Sequence, residues 1–476
     1  MEKKKGHIPS YWYPLSLVCL FFLFVREYLF RPFWFDEALT LMNFAWLPGP
    51  VKIYFSYVIP NNQIIYTIFL HYWNLLPHGG MRPDFFLRLL SVCFAAGTLI
   101  LLYQAFKRSC GKVSLYLALA ALAVSPPFLI YATALRGYMA SCFFVACTLV
   151  SGRRFLSAPS GKNWMIFFAG CLLAAGTIPS NLLALGGCVC CLLPGTLKNF
   201  WRLKRNYVLA LTPVAALVCF YLPVAGNFAG MFKLGEGWNS SLAVLTAFYA
   251  AAAAVFGVLL LPGIGSSAFI PPKCRRIFPF FAFLLPVLAV LCLHKPPFPR
   301  VCLPLFPVLA LVTAQGLKHF FALLKGKRKR LGISRLLIGC VLVWGAAAST
   351  DNFKSFFAEK FGNGADDDFF YGYYMRKAHV PEDVVKGLER FYQPGRIPPV
   401  YLSFSADPWP VMYYMLSRGY ESRFLFDGPR GPVRELERGS LVIINRGERF
   451  EPLEKRFSGV LKPLFETAMH KAAVFE

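Results

Sequence analysis

Two adjacent carboxylates stand in the segment Phe35-Asp36-Glu37-Ala38, just beyond the first long apolar run of the chain. Beside a bilayer an ionised carboxylate is costly unless it meets water, a cation or a donor, so such a pair points to an active site held at the membrane surface. Farther along, Arg136-Gly137-Tyr138 follows another apolar run. The two chemistries complement each other. In a partly dry site a carboxyl group gains proton affinity and can take a proton from a hydroxyl. A planar guanidinium donates two hydrogen bonds to a phosphate and needs no proton transfer to do so. On a helix Asp36 and Glu37 point about 100° apart, so they do not share a role. Asp36 reads as the base, and Glu37 as an auxiliary that orients Asp36 or the acceptor. The plainer readings are an N-cap for Asp36 and an ion-pair or headgroup contact for Arg136.

The elements that position these residues follow from composition. The chain has 476 residues, of which 57% are hydrophobic and 17% aromatic, with 48 Phe. That belongs to a polytopic membrane protein rather than to a soluble core. At about 20 residues per span, roughly eleven segments qualify: 11–30, 85–106, 113–131, 137–152, 164–178, 181–197, 207–224, 241–262, 277–293, 299–317 and 332–349.

The net charge of +26 could imply nucleic acid, but its distribution excludes that partner. Lys and Arg gather in every second loop, at Lys3–Lys5, Lys107 to Lys112, Arg153 to Lys162, Lys198 to Arg205, Lys273 to Arg276 and Lys325 to Arg330. This is the positive-inside pattern. It predicts a cytoplasmic N-terminus, with the Asp36 loop and the C-terminal tail outside. Phe21 to Phe30 offers no small-residue cleavage site, so the first span reads as uncleaved. Twelve of the 14 Cys fall in predicted spans, with Cys110 and Cys274 in cytoplasmic loops. They read as small apolar residues rather than as a disulfide framework.

Three regions result. Residues 31–84 form a long external loop in which 61–76 carries Ile64, Ile65, Ile68, Phe69, Tyr72 and Trp73 at helical spacing, as a helix lying along the interface does. Asp36 to Trp46 reads as a second such helix, with its carboxylate in the favourable first turn. The membrane module runs over 1–349. Residues 350–476 change character and read as a small external α/β domain, with strands near 400–404, 423–426 and 441–444 and a helix over 408–418 opened by Asp407 and Pro408.

Four motifs occur in order: Phe35-Asp36-Glu37-Ala38; the stretch 60–73 (PNNQIIYTIFLHYW); Arg88-Leu89-Leu90; and 125–138 (SPPFLIYATALRGY). A further stretch runs from Pro299-Arg300 through Pro304 to Ala310. Together they resemble the bacterial GT-C glycosyltransferases of the protein mannosyltransferase and aminoarabinose-transferase type. The resemblance implies an all-α membrane bundle, a polyprenyl-phosphate-linked sugar as donor, and transfer to an acceptor hydroxyl on the external face. It implies Asp36 and Glu37 as the acidic pair, and Arg136 with Tyr138, then Arg88 and Arg300, on the donor phosphate. Asn61, Asn62 and His71 become candidates on the sugar or acceptor side. Relatives often show a His beside the position of Asn61 and Asn62, and here it is absent. The likeness is good over about the first 140 residues, weak over the rest of the bundle and nearly absent in the C-terminal domain.

Such a donor suits these residues, because a departing phosphate needs a cation rather than a proton. The acceptor, whether lipid, glycan or protein, is not legible. Neither a Walker loop nor HExxH is present, and Gly263-Ile264-Gly265 has no strand before it, so nucleotide binding is unsupported. A divalent metal is possible but unsupported by the sequence, and Asp366-Asp367-Asp368 reads first as a solvated acidic turn. The competing functions are a flippase of lipid-linked sugars and a polysaccharide polymerase or ligase. Transporters place ionisable groups at mid-membrane on broken helices, whereas here the acids gather at the external face.

Overall fold

The computed structural model of the chain describes residues 11–56, 59, 62–199, 204–227, 241–259, 278–292, 299–324, 326–348, 379–427 and 432–476. The chain divides into two compact units, one formed by residues 1–29 and 48–371, the other by 30–47 and 372–476. The triplet Asp366 to Asp368, Asn61 and Cys274 lie outside the described residues.

The first unit is helical, and each of the eleven expected segments coincides with helix over its described part. Among the described residues, four helices are long and apolar enough to cross a membrane, or five if one bent pair is a single span. The chain is thus a multi-pass membrane protein, although a count of eleven spans does not follow from these helices. The longest, Pro83–Cys110, shows why such a segment is a helix. Pro83 sits at its first position, Asp84 in its first turn, and Lys107 and Arg108 in its last, each complementing the helix dipole. At 28 residues it is about 42 Å long. It ends at Gly111, whose φ of 81° only glycine adopts without strain. Cys110 is therefore the buried last residue of this helix rather than a loop residue.

The expected span over 113–131 is broken. Helices Lys112–Ala123 and Pro126–Ala132 meet at 65°, because Pro126 and Pro127 cannot continue the backbone ladder and force Ser125 into extended geometry. Small residues set the packing elsewhere. A Cβ on Gly97 would lie 3.0 Å from Phe143, and one on Gly170 2.8 Å from Thr148. These approaches draw helices Pro83–Cys110 and Gly161–Thr177 onto Tyr138–Ser157. In lipid, where apolar burial gives little drive, such close packing holds helices together.

The second unit contains helix Phe35–Thr40, a π-helical turn over Leu41–Ala45, and the C-terminal domain. Its main sheet has the order β4-β2-β5-β7-β6, formed by Phe424–Leu425, Val400–Leu402, Leu441–Asn445, His470–Phe475 and Leu461–Glu466. A short parallel pair, β1 (Gly395–Arg396) with β3 (Tyr420–Glu421), stands apart from it. β2 pairs in parallel with β4 and β5, while β7 runs antiparallel to both β5 and β6. Three of these strands were expected; the hairpin β6–β7 was not, because its Lys462-Pro463 and Lys471 break the apolar signal. The core on one face is Tyr401, Val442, Ile444, Leu461, Ala473 and Phe475. From β2 the chain leaves through helix Pro408–Ser417 to β4, and β5 adds on the other side.

Candidate functional site

Within the first unit, the turn Thr133–Gly137 between helices Pro126–Ala132 and Tyr138–Ser157 carries Arg136. Ser91 Oγ donates to the Ala134 carbonyl at 2.6 Å and shares a hydrogen bond with Tyr66 Oη at 2.9 Å. The Gly137 N–H donates to Gln63 Oε1. A Cβ on Gly137 would lie 2.6 Å from Thr177 Cγ2, 2.9 Å from Tyr66 Cβ and 3.0 Å from Gln63 Oε1, so any side chain here must displace its neighbours.

Arg136 and Tyr138 are both buried, at 2% and 3% exposure. The Arg136 guanidinium lies 6.0 Å from the centroid of the Tyr138 ring, at the edge of cation–π range. Arg300 Nε donates to Tyr138 Oη at 3.0 Å, and Tyr131 packs edge-on against the same ring at 4.8 Å. Two arginines thus converge on one phenol. Arg136 is buried and Arg300 half-buried, and ionisable side chains gathered in so apolar a chain are candidates for a functional site.

Arg88 is also buried, with Nη1 donating to the Leu29 carbonyl at 3.2 Å. Asn62 is fully buried, with Nδ2 donating to the Ile53 carbonyl at 2.7 Å and Oδ1 without a hydrogen-bond partner among the described residues. His71 is half-buried on helix Ile64–Asn74, edge-on to Tyr72 at 5.2 Å. The buried residues of that helix are Ile64, Tyr66, Thr67 and Leu70, while Phe69 and Tyr72 are exposed. Sequence reasoning missed Gln63, Ser91 and Tyr66. The only signal for Gln63 was a polar side chain beside two asparagines in an apolar stretch.

Within the second unit, Trp34 is the N-cap of helix Phe35–Thr40, which places Asp36 and Glu37 at its second and third positions. Glu37 is buried and turns back, its Oε2 accepting the Trp34 N–H at 3.2 Å. An indole has no acceptor to complete a capping box, so only this half forms. Asp36 is half-buried, and its backbone carbonyl accepts from Thr40 Oγ1 at 2.7 Å. The two carboxylates therefore differ: Glu37 is buried and caps the helix, whereas Asp36 is half-buried.

Phe33, just upstream, is held in full. Its N–H donates to Tyr414 Oη at 3.0 Å, His379 Nε2 lies 3.0 Å from its carbonyl, and its ring packs on Tyr413 at 4.8 Å. Phe35 meets the exposed Phe404 edge-on at 5.6 Å. The expected N-cap role of Asp407 does not occur. It precedes helix Pro408–Ser417 with φ of 51°, and its side chain makes no cap hydrogen bond. Instead Asp407 Oδ2 lies 3.9 Å from His379 Nδ1, and burial pushes its carboxyl up to about 6. His470 Nε2 lies 3.0 Å from the Ala406 carbonyl, and burial holds its imidazole down to about 4. Asp427 is held low, at about 2, chiefly by the Arg456 guanidinium that grips it at 2.7 and 2.8 Å. Among the described residues no group of three or more His, Cys, Asp or Glu could hold a metal ion.

No protein-family model and no curated protein matches the chain. Among solved structures, it is similar to ArnT from Cupriavidus metallidurans in the apo state, with a TM-score of 0.60 and 12% identity over 97% of each chain. It is also similar to the same ArnT bound to undecaprenyl phosphate, with a TM-score of 0.55 and 11% identity, again over 97% of each. At such identities the likeness is one of fold. The aminoarabinose-transferase type of fold expected from the motifs is the one this chain has, and the likeness extends through the C-terminal domain that the motifs did not reach.

Proposed function

We propose that the protein is a glycosyltransferase that moves a sugar from a polyprenyl-phosphate donor to an acceptor hydroxyl, with inversion, at the external face of the bacterial inner membrane. The observation that carries this reading is the convergence of the buried Arg136 and the half-buried Arg300 on the buried Tyr138. It occurs in a fold shared with an ArnT that binds undecaprenyl phosphate.

In the proposed step the acceptor oxygen attacks the sugar C1 from the side opposite the phosphate. Its proton passes to the Asp36 carboxylate as the C1–O bond breaks, and the bonding pair leaves on the phosphate. Arg136 and Arg300 hold that departing charge, with Tyr138 keeping Arg300 aimed. Arg88, Asn62 and His71 are secondary donor or acceptor contacts, and Asn61 belongs with them by sequence position. Glu37 fixes the start of the helix that presents Asp36.

The test uses protein in liposomes with undecaprenyl-phosphate-linked sugars and a panel of envelope acceptors. Asp36→Asn should lower turnover at least 100-fold, within the range of a general base, while leaving donor binding intact. Arg136→Gln should weaken binding of undecaprenyl phosphate itself. Near-normal turnover of the first variant would remove the base assignment, and unchanged lipid binding by the second would remove the phosphate clamp.

A further inference from the structure

The segment leading into Asp36 has no backbone ladder of its own. Pro32, Phe33 and Trp34 are neither helix nor strand, yet Phe33 is fully buried, so its peptide groups must find partners elsewhere. They find side chains 381 and 346 residues away in sequence, Tyr414 for the N–H and His379 for the carbonyl.

We propose that His379 and Tyr414 are positioning residues that clamp both sides of the Phe33 peptide and so fix the helix start that presents Asp36 and Glu37. The link to catalysis rests on the transferase reading above; the clamp itself does not. A carbonyl only accepts, so His379 donates from Nε2, which turns Nδ1 toward Asp407. Asp407 is one of two described non-glycine residues at positive φ. Its carboxylate is drawn away from the helix N-terminus it would ordinarily cap and faces His379 instead. Tyr413 closes the arrangement by packing on both the Phe33 ring and Trp46. The grip therefore brackets helix Phe35–Thr40 and the π-helical turn after it, upstream at Phe33 and downstream at Trp46. A residue needed only to fill the core would not require hydrogen-bonding side chains on both peptide groups that flank its Cα.

The experiment is hydrogen exchange by mass spectrometry on the full chain in nanodiscs, with transfer kinetics on the same samples. His379→Ala should speed exchange over residues 34–40 at least tenfold and lower kcat by a similar factor, with the donor KM unchanged. His379→Gln, whose amide can reach the same carbonyl, should restore both. Tyr414→Phe, lacking one oxygen, should speed exchange at the Phe33 amide that this oxygen holds and serves if His379→Ala does not fold. Unchanged exchange in a folded His379→Ala or Tyr414→Phe protein would overturn the clamp. Faster exchange with unchanged kcat, or no rescue by Gln, would overturn the positioning role. Absence of transfer by the unaltered protein would instead sink the transferase reading, leaving the exchange result to decide the clamp.

Discussion

Gly137→Ala is the most economical test of how the arginine turn is built. Gly137 has φ of −70° and ψ of 9°, outside the left-handed region that only glycine enters readily, so the main effect comes from packing. The new methyl would meet Thr177 Cγ2 at 2.6 Å and Tyr66 Cβ at 2.9 Å, where carbon atoms prefer about 3.5–4.0 Å. Neither neighbour yields easily. Thr177 Oγ1 is tied to the Leu173 carbonyl at 2.6 Å, and Tyr66 Oη to Ser91 at 2.9 Å. Overpacking of this size costs about 1–3 kcal/mol. Relief requires the turn to shift by roughly 1 Å, which lengthens the 3.0 Å Arg300–Tyr138 bond beyond hydrogen-bond range. Misplacement of that order lowers turnover about 10²-fold. The assay is thermal unfolding in detergent beside transfer from a polyprenyl-phosphate sugar. Thr177→Ser deletes the worst contact and keeps the hydroxyl, so the double variant should recover about half of both losses. Wild-type stability and turnover in Gly137→Ala, or coupling with Thr177→Ser below about 0.5 kcal/mol, would refute this account of the turn.

Gln63→Leu leaves the buried Gly137 N–H without its acceptor and should cost about 1–3 kcal/mol of stability, read in the same unfolding assay; no loss would mean that this bond does not hold the turn. Tyr138→Phe keeps the ring beside Arg136 but removes the oxygen that Arg300 grips, so undecaprenyl phosphate should bind about tenfold more weakly, measurable by lipid competition. The C-terminal unit should show opposed pH effects. His470 titrates near 4 in the fold against 6.5 ordinarily. Its contribution is therefore present above 6.5 and lost as pH falls through 4, a swing of about 3 kcal/mol. Asp407 titrates near 6 against 3.8, so its contribution is present below 3.8 and lost as pH rises through 6, again about 3 kcal/mol. The two nearly cancel between pH 4 and 6.5. Asp407→Asn, which tolerates the left-handed backbone, should expose a steep rise of stability with pH, followed by hydrogen exchange in β5 and β7; a flat profile in that variant would show that the His470 shift is absent.

Much of this protein is written in local sequence. Apolar runs, proline positions and the first-turn Asp84 of helix Pro83–Cys110 set the helices, because in a membrane the backbone must satisfy itself within each segment. The parallel strands β2 and β5 were legible as short runs of Val, Ile, Leu and Tyr. Asp36, Arg136 and Tyr138 were legible because charge or hydrogen-bonding capacity in so apolar a chain stands out against its surroundings. What the sequence could not disclose is which groups hold them. Gln63 and Ser91 look unremarkable in the chain, yet they fix the Arg136 turn through contacts 74 and 43 residues apart. Glu37 caps a helix and Asp407 does not, since capping depends on backbone angles that only packing decides. The grouping of residues 30–47 with 372–476 has no local signature at all. It arises because a buried peptide without a ladder must borrow hydrogen bonds, and His379 and Tyr414 are the side chains the fold delivers to Phe33.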